Sequence, residues 1–314
     1  MFRLHMRNGT IWIATGAAPY LGAVTVNDAA ELTRLPPPGH RAATTRDYVM
    51  CRPDHFAVHY SINVWMDPSR PVDRDRALAQ WDELRATYER LGHRVHLLDP
   101  RPGLPDMVFA ANGAFVVGDR ALGARFRELV RADEAPAHRS WLEAAGVAVT
   151  APVAVNEGEG DFAWAGGRIL AGAGFRSDPA AHAELAAVFG VPVVPLELVD
   201  PRFYHLDTAL AVLDATTIAY HPPAFSAASR EILAGLFPEA IVATEADALV
   251  LGLNAVSDGR HVVLAAQARE LADAVARAGF EPVPVDVSEL LRSGGGVKCA
   301  TLELHAPTIA EESQ

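Results

Sequence analysis

Six polar residues divide most of the chain into nearly equal lengths. Asn63, Asn112, Asp161, Asp207, Asn254 and Cys299 are separated by 49, 49, 46, 47 and 45 positions. Intervals this even predict a repeated supersecondary unit, each copy bringing the end of a strand to a common centre. Such a fold gathers residues far apart in the chain into one site. The competing reading is a doubly wound sheet whose loops carry polar residues by chance.

The pattern between those positions is α/β. Short β-rich runs at 95–98, 147–149, 191–194, 241–243 and 283–285 alternate with helical runs from Asp47 onward. The spacing predicts helices over 73–91, where Leu78, Trp81, Leu84, Tyr88 and Leu91 share a face, and over 261–278, with Leu264, Leu271 and Val275. Shorter helices are expected at 124–131, 138–145, 180–189 and 226–237, the last capped by Ser226 and burying Ile232, Leu233 and Leu236. Gly92, Gly146, Gly190 and Gly279 each follow a helix and precede an apolar strand. Residues 1–45 read as an N-terminal extension with a stiff segment at 35–40, residues 46–308 as a single catalytic domain, and residues 309–314 as a tail.

Charge and cysteine content narrow the function. A formal net charge of −12 offers no concentrated Lys and Arg for a phosphate backbone, so nucleic acid is not an expected partner. The same acidity suits a cationic small molecule where carboxylates line a cleft. The two cysteines, Cys51 and Cys299, stand near opposite ends of the chain, which argues against a disulfide framework or a thiolate metal site. The apolar stretch 11–26 follows Arg3 and Arg7 like an export signal, but Gly16, Pro19 and Gly22 interrupt it. No run reaches transmembrane length, so the expectation is a cytoplasmic protein with no membrane partner.

Four segments carry the candidate chemistry. In GGGVKCATL at 294–302, three glycines allow close backbone approach just before Cys299, which presents the sulfur as a nucleophile; a packed structural cysteine is the alternative. Lys298 offers positive potential, although neighbouring residues of an extended segment face opposite ways. FYHLDTALAVL at 203–213 reads as a strand in which His205 and Asp207 share a face, one for proton transfer and one for holding a cation. The alternative is a hydrogen-bonded core histidine with an edge carboxylate. NEGEGDF at 156–162 sets Glu157, Glu159 and Asp161 within five residues, a density of charge that a guanidinium would offset if the segment is buried. LPDMVFAAN at 104–112 adds Asp106, which suits paired hydrogen bonds to a planar guanidinium and equally suits a loop cap. No HExxH-type motif supports a metal-dependent hydrolase.

Together with AGFRSDPAAH at 173–182 and CRPDHFAVHYSINVWM at 51–66, these segments resemble the guanidino-group-modifying enzymes, in particular the dimethylarginine dimethylaminohydrolase and arginine-deiminase-like branch. The resemblance spans roughly residues 47–305. It implies a five-bladed α/β propeller, or pentein, of pseudo-fivefold ββαβ-type repeats with the site on its axis. It further implies Cys299 as nucleophile, His205 as general acid and base, Asp106 and Asp207 as guanidinium ligands, and Arg176 on the substrate's α-carboxylate. Asp161, Asn112 and Asn63 are counted with the substrate-binding residues. The family pattern is commonly Glu-Gly-Gly-Asp. The extra residue in EGEGD leaves Glu157 and Glu159 as alternatives for orienting His205.

The reaction so implied needs neither metal nor organic cofactor. It hydrolyses a free arginine derivative through a thiouronium on Cys299, with N-methylated arginine giving citrulline and alkylamine. Arginine deiminase or dihydrolase activity, amidino transfer to an amine, and noncatalytic amino-acid binding are the alternatives. A homodimer is compatible with the sequence.

Overall fold

The computed structural model describes residues 3–7, 10–14 and 41–306. Strands Arg3–Arg7 and Thr10–Ala14 form an antiparallel hairpin with Arg3 opposite Ala14. The stiff segment at 35–40 and the tail at 309–314 lie outside the described residues, as does most of the apolar stretch at 11–26.

Residues 47–305 repeat one topology five times. Two antiparallel strands are followed by a helix, and a third strand then pairs parallel to the second. The first copy runs Ala114–Val117, Arg120–Gly123, helix Ala135–Ala144 and Ala148–Thr150. The second runs Phe162–Trp164, Ile169–Ala173, helix Ala181–Phe189 and Val193–Glu197. Leu210–Val212, Ile218–Tyr220, helix Ala227–Leu236 and Ile241–Val242 make the third. Val256–Ser257, His261–Ala265, helix Arg269–Arg277 and Glu281–Val285 make the fourth. The fifth is split across the chain: Leu302–His305 pairs antiparallel with Asp47–Cys51, which leads through helix Arg74–Arg90 to Arg94–Leu98. Leu304 and His305 also pair in parallel with Val116 and Val117, joining the fifth copy to the first in one six-stranded sheet.

Local chemistry explains the helices. Asp73 accepts the backbone N–H of Arg76 at the start of Arg74–Arg90, and Ala77, Trp81, Leu84 and Tyr88 form its buried face. Ser226 caps Ala227–Leu236 by accepting from Ser229, as expected; Leu233 is buried there, but Ile232 is exposed. Gly190 closes Ala181–Phe189 with a φ of 68°, a conformation in which a Cβ would be strained.

Three expectations need correction. The predicted helix 261–278 is a strand at His261–Ala265 followed by a helix from Arg269; Ala266, Gln267 and Ala268 connect them. Leu264 is a fully buried strand residue, and an alanine-rich run made the two elements look continuous. The predicted helix 124–131 is displaced to a 3-10 helix at Leu129–Glu134. His205 and Asp207 do not alternate on a strand: Leu206–Ala209 is one helical turn, and the strand starts at Leu210.

The repeat positions the site. Asn112, Asp161, Asp207, Asn254 and Cys299 each stand one to three residues ahead of the first strand of a copy. Asn63 does not share this position, lying between the second strand and the helix of the fifth copy. Five equivalent residues and one coincidence therefore produce the six-membered sequence pattern.

Candidate active site

The connections that end ahead of the first strands converge on Cys299. Its sulfur lies 3.0 Å from Asp207 Oδ2 and 3.1 Å from Asn254 Nδ2. Burial pushes the thiol well above its ordinary range, and the adjoining Asp207 carboxylate pushes it further. Burial also raises the Asp207 carboxyl, against the pull of His205 and of the thiol hydrogen bond. Cys299 and Asp207 thus hold a proton between them. Lys298 does not reach the sulfur: its ammonium donates to Glu159 at 2.6 Å and to the Thr301 carbonyl at 3.1 Å, and its positive charge acts on Asp207.

His205 belongs to a second charged group. Its Nε2 lies 2.9 Å from Glu157 Oε2, while its buried Nδ1 has no hydrogen-bond partner among the described residues. A carboxylate on Nε2 fixes the proton there and leaves Nδ1 to accept or donate. Burial opposes ionisation of Glu157, yet the His205 bond and the charges of Arg176 and Arg131 hold its carboxyl well below the usual range. Glu159 faces elsewhere, meeting Lys298, His305 and the backbone N–H of Glu303. Of the two glutamates left open by the sequence, Glu157 is the one at His205.

Ile62, Asn63, Asp106, Phe109, Asn112, Arg131, Arg176, Tyr204, Ser293 and Cys299 line a small cavity. Asp106 is buried and accepts Tyr60 Oη–H at 2.7 Å and Ser293 Oγ–H at 3.2 Å, which fixes the plane of its carboxylate. Arg176 donates to Glu157 at 3.2 Å and to the Ile62 carbonyl at 2.7 Å, with its guanidinium over the Tyr204 ring. Asn63 bonds the Ser293 carbonyl, and Asn112 accepts from Arg131 at 2.9 Å. Asp161 stands apart from this cavity, with its carboxyl oxygens engaged by Ser177 Oγ and the backbone N–H of Leu206.

Sequence reasoning missed Arg131. It is buried, pairs with Glu134 at 2.8 Å, and lies 3.9 Å from Glu157. Within FRELVRADE at 126–134 it reads like a solvated helix face, and no local motif separates it from Arg127, which is partly exposed. Only the long-range meeting with Asp106, Asn112 and Glu157 marks it.

A larger cavity touches Asp207 and is also lined by Glu159, Lys298, Glu303 and His305. Its ionic groups neutralise one another: Lys298 and His305 meet Glu159, and His305 and Arg46 meet Glu303. Cys299 does not line it, and its Ser257 hydroxyl is engaged with the Leu213 carbonyl. The small cavity therefore has the stronger claim to chemistry.

Comparisons with known proteins agree on the kind of molecule. No family model matches the chain. It is 58% identical over 272 residues to an N(G),N(G)-dimethylarginine dimethylaminohydrolase from Mycobacterium tuberculosis, covering 87% of this chain and 90% of that protein. The N-terminal domain of ArgZ with product bound, an arginine dihydrolase from cyanobacteria, superposes with a TM-score of 0.81 at 34% identity, covering 84% of this chain and 99% of that one. A dimethylarginine dimethylaminohydrolase adduct with 4-chloro-2-hydroxymethylpyridine shares the fold, with a TM-score of 0.68 at 18% identity over 83% of this chain and 100% of that one. With its mixed α/β repeats and a buried cysteine in the small cavity, the chain belongs to the dimethylarginine dimethylaminohydrolase family of guanidino-group hydrolases.

Proposed function

We propose that the chain hydrolyses the guanidinium of a free arginine derivative, with Cys299 as the nucleophile. The observation that carries this reading is the buried Cys299–Asp207 contact at 3.0 Å. A thiol held protonated by a carboxylate is poorly nucleophilic until a cation enters and takes over the carboxylate's charge. A guanidinium is such a cation, and Asp106 and Asp207 provide two carboxylates to hold its plane.

The steps follow from the groups in place. As the guanidinium binds, the Cys299 S–H proton passes to His205 Nδ1 and the sulfur attacks the central carbon, forming an S–C bond and a neutral tetrahedral species. The bond from that carbon to the departing nitrogen breaks as His205 delivers a proton from Nδ1, and an amine leaves a cationic thiouronium on sulfur. Water then loses a proton to His205 as it attacks the same carbon. The C–S bond breaks as the hydroxyl proton of that species passes to bulk water, the neutral ureido product leaves, and His205 returns its proton to the sulfur, restoring the thiol. Glu157, on the other face of the imidazole, stabilises its charged form throughout.

Arg131 and Arg176 provide positive charge for the α-carboxylate of a free amino acid. Asn63 and Asn112 shape the wall, and Asp161 serves the site by holding the Leu206 N–H beside His205. The five repeated units are best arranged as blades of a propeller about this centre, with residues 46–308 as one catalytic domain. Two free cysteines, both buried, suit a cytoplasmic setting. Among the described residues, no helix is long and apolar enough to cross a membrane.

Methylated arginine is the preferred substrate, by similarity to the M. tuberculosis relative. The ArgZ likeness supports a second reading, in which unmodified arginine is hydrolysed, once to citrulline or twice to ornithine. Product analysis on dimethylarginine, monomethylarginine, arginine and agmatine separates them. Citrulline with dimethylamine from the first substrate is expected, with poor turnover of agmatine because it lacks the carboxylate. Efficient agmatine conversion without reaction of the amino acids would overturn the role of Arg131 and Arg176 and the substrate class together.

A further inference from the structure

The five equivalent residues ahead of the first strands do not all have an assigned task. Cys299 and Asp207 meet at the reacting sulfur, Asn112 braces Arg131, and Asp161 holds Leu206 N–H. Asn254 remains, with no exposed surface.

Both ends of its carboxamide rest on the cysteine. Asn254 Oδ1 accepts the backbone N–H of Cys299 at 3.0 Å. Its Nδ2 donates to Cys299 Sγ at 3.1 Å and to the Asp207 carbonyl at 3.1 Å. Its own carbonyl accepts from Lys298 N–H at 3.2 Å. This approach relies on glycine at 296, since a Cβ there would stand 3.0 Å from Asn254 Oδ1.

The choice of amide is chemically specific. Asp207 already places one carboxylate at the sulfur, and a second acid of the same shape would add like charge where a thiolate must form. A hydrophobic isostere would leave Cys299 N–H without its acceptor. A neutral amide of this size accepts from the backbone and donates to sulfur together at every working pH, which an acid does only when protonated.

We propose that Asn254 is a positioning residue that aims Cys299 Sγ and stabilises its thiolate by hydrogen bonding. The inference rests on the reading of Cys299 as nucleophile. Asn254 transfers no proton. Its bond to sulfur is strongest in the thiolate, before the S–C bond forms and again as that bond breaks, and is weakest in the thiouronium, where sulfur carries no free charge.

Two variants test this. Asn254→Asp keeps the shape and the acceptor for Cys299 N–H but replaces a neutral donor with a titrating group. Asn254→Ala removes both functions. The measurements are thermal unfolding, kcat and KM, and the pH dependence of Cys299 alkylation by iodoacetamide, read on the Cys299 peptide. The alanine variant is expected to lose about a hundredfold in kcat with KM within about threefold, the scale of losing one preorganised donor, and its alkylation profile moves to higher pH. The aspartate variant loses as much or more at alkaline pH and recovers toward acid, where its protonated carboxyl donates again. A structural role alone would not make the aspartate variant recover activity toward acid. If alanine prevents folding, the aspartate variant decides. A folded aspartate variant with wild-type kcat and alkylation profile would overturn the proposal. If Cys299→Ser retains turnover, the nucleophile reading itself fails; if that variant is dead while the Asn254 variants match wild type, only this inference fails.

Discussion

Cys299→Ser is expected to lower kcat by about four orders of magnitude or more, the scale seen when a covalent nucleophile is removed, while the protein still folds and binds substrate. Serine occupies nearly the same volume and retains a hydroxyl for Asp207 and Asn254, so the buried contacts at 3.0 and 3.1 Å have replacements. What it lacks is an accessible anion. The thiol is already raised by burial and by Asp207, and an alcohol in the same place lies beyond the reach of a bound cation. Steady-state kinetics paired with thermal unfolding checks both halves; wild-type turnover in a folded serine variant would remove Cys299 from the chemistry.

Glu157→Gln has the second-largest expected effect, because one change reaches three charged groups. Glu157 meets His205 at 2.9 Å and Arg176 at 3.2 Å, with Arg131 at 3.9 Å. A neutral amide no longer stabilises a charged imidazole, so kcat should fall about a thousandfold, within the usual range for general acid–base catalysis. Stability should fall by about 3–5 kcal/mol, as when one partner of a buried ion pair is lost. The pH dependence gives the sign. A carboxyl depressed in the folded state contributes its full stability above its unfolded value, near 4.5, and loses that contribution as pH falls toward the lower folded value. Denaturant unfolding at pH 7 and pH 3 should therefore show a difference between wild type and Glu157→Gln that shrinks on acidification. An unchanged difference would mean the glutamate is not held ionised by its neighbours.

The legibility of these features in the sequence follows their range. The third strand of each unit was visible as a short β-branched, apolar run, a signal carried by its own residues even though these strands are only part-buried. The hairpin strands were harder: Val256–Ser257 and Leu210–Val212 are too short to show alternation. His261–Ala265 was absorbed into a helix because alanines bridge it to Arg269. At the site, His205, Asp207 and Cys299 stood out through local motifs, and Glu157 through its acidic loop. The choice between Glu157 and Glu159 was not local. It depends on Gly158 turning the chain between them, so that one glutamate meets His205 and the other meets Lys298 and His305. Arg131 was invisible for the same reason: apart from Glu134, its partners Asn112, Asp106 and Glu157 lie 19 to 26 positions away on other connections. Asn254 was visible as a repeat position, but its bond to Cys299 exists only once the fourth and fifth copies are side by side.

The most direct test of the account is to find the substrate's central carbon on the predicted sulfur. Enzyme mixed with arginine or dimethylarginine labelled at the guanidino carbon is quenched in acid within one turnover, digested, and the peptides are weighed. The account predicts label on the peptide containing Cys299, appearing before the ureido product and decaying as that product accumulates, with none on the Cys51 peptide. Product formed at the normal rate with no label on Cys299 at any time of quenching would contradict it.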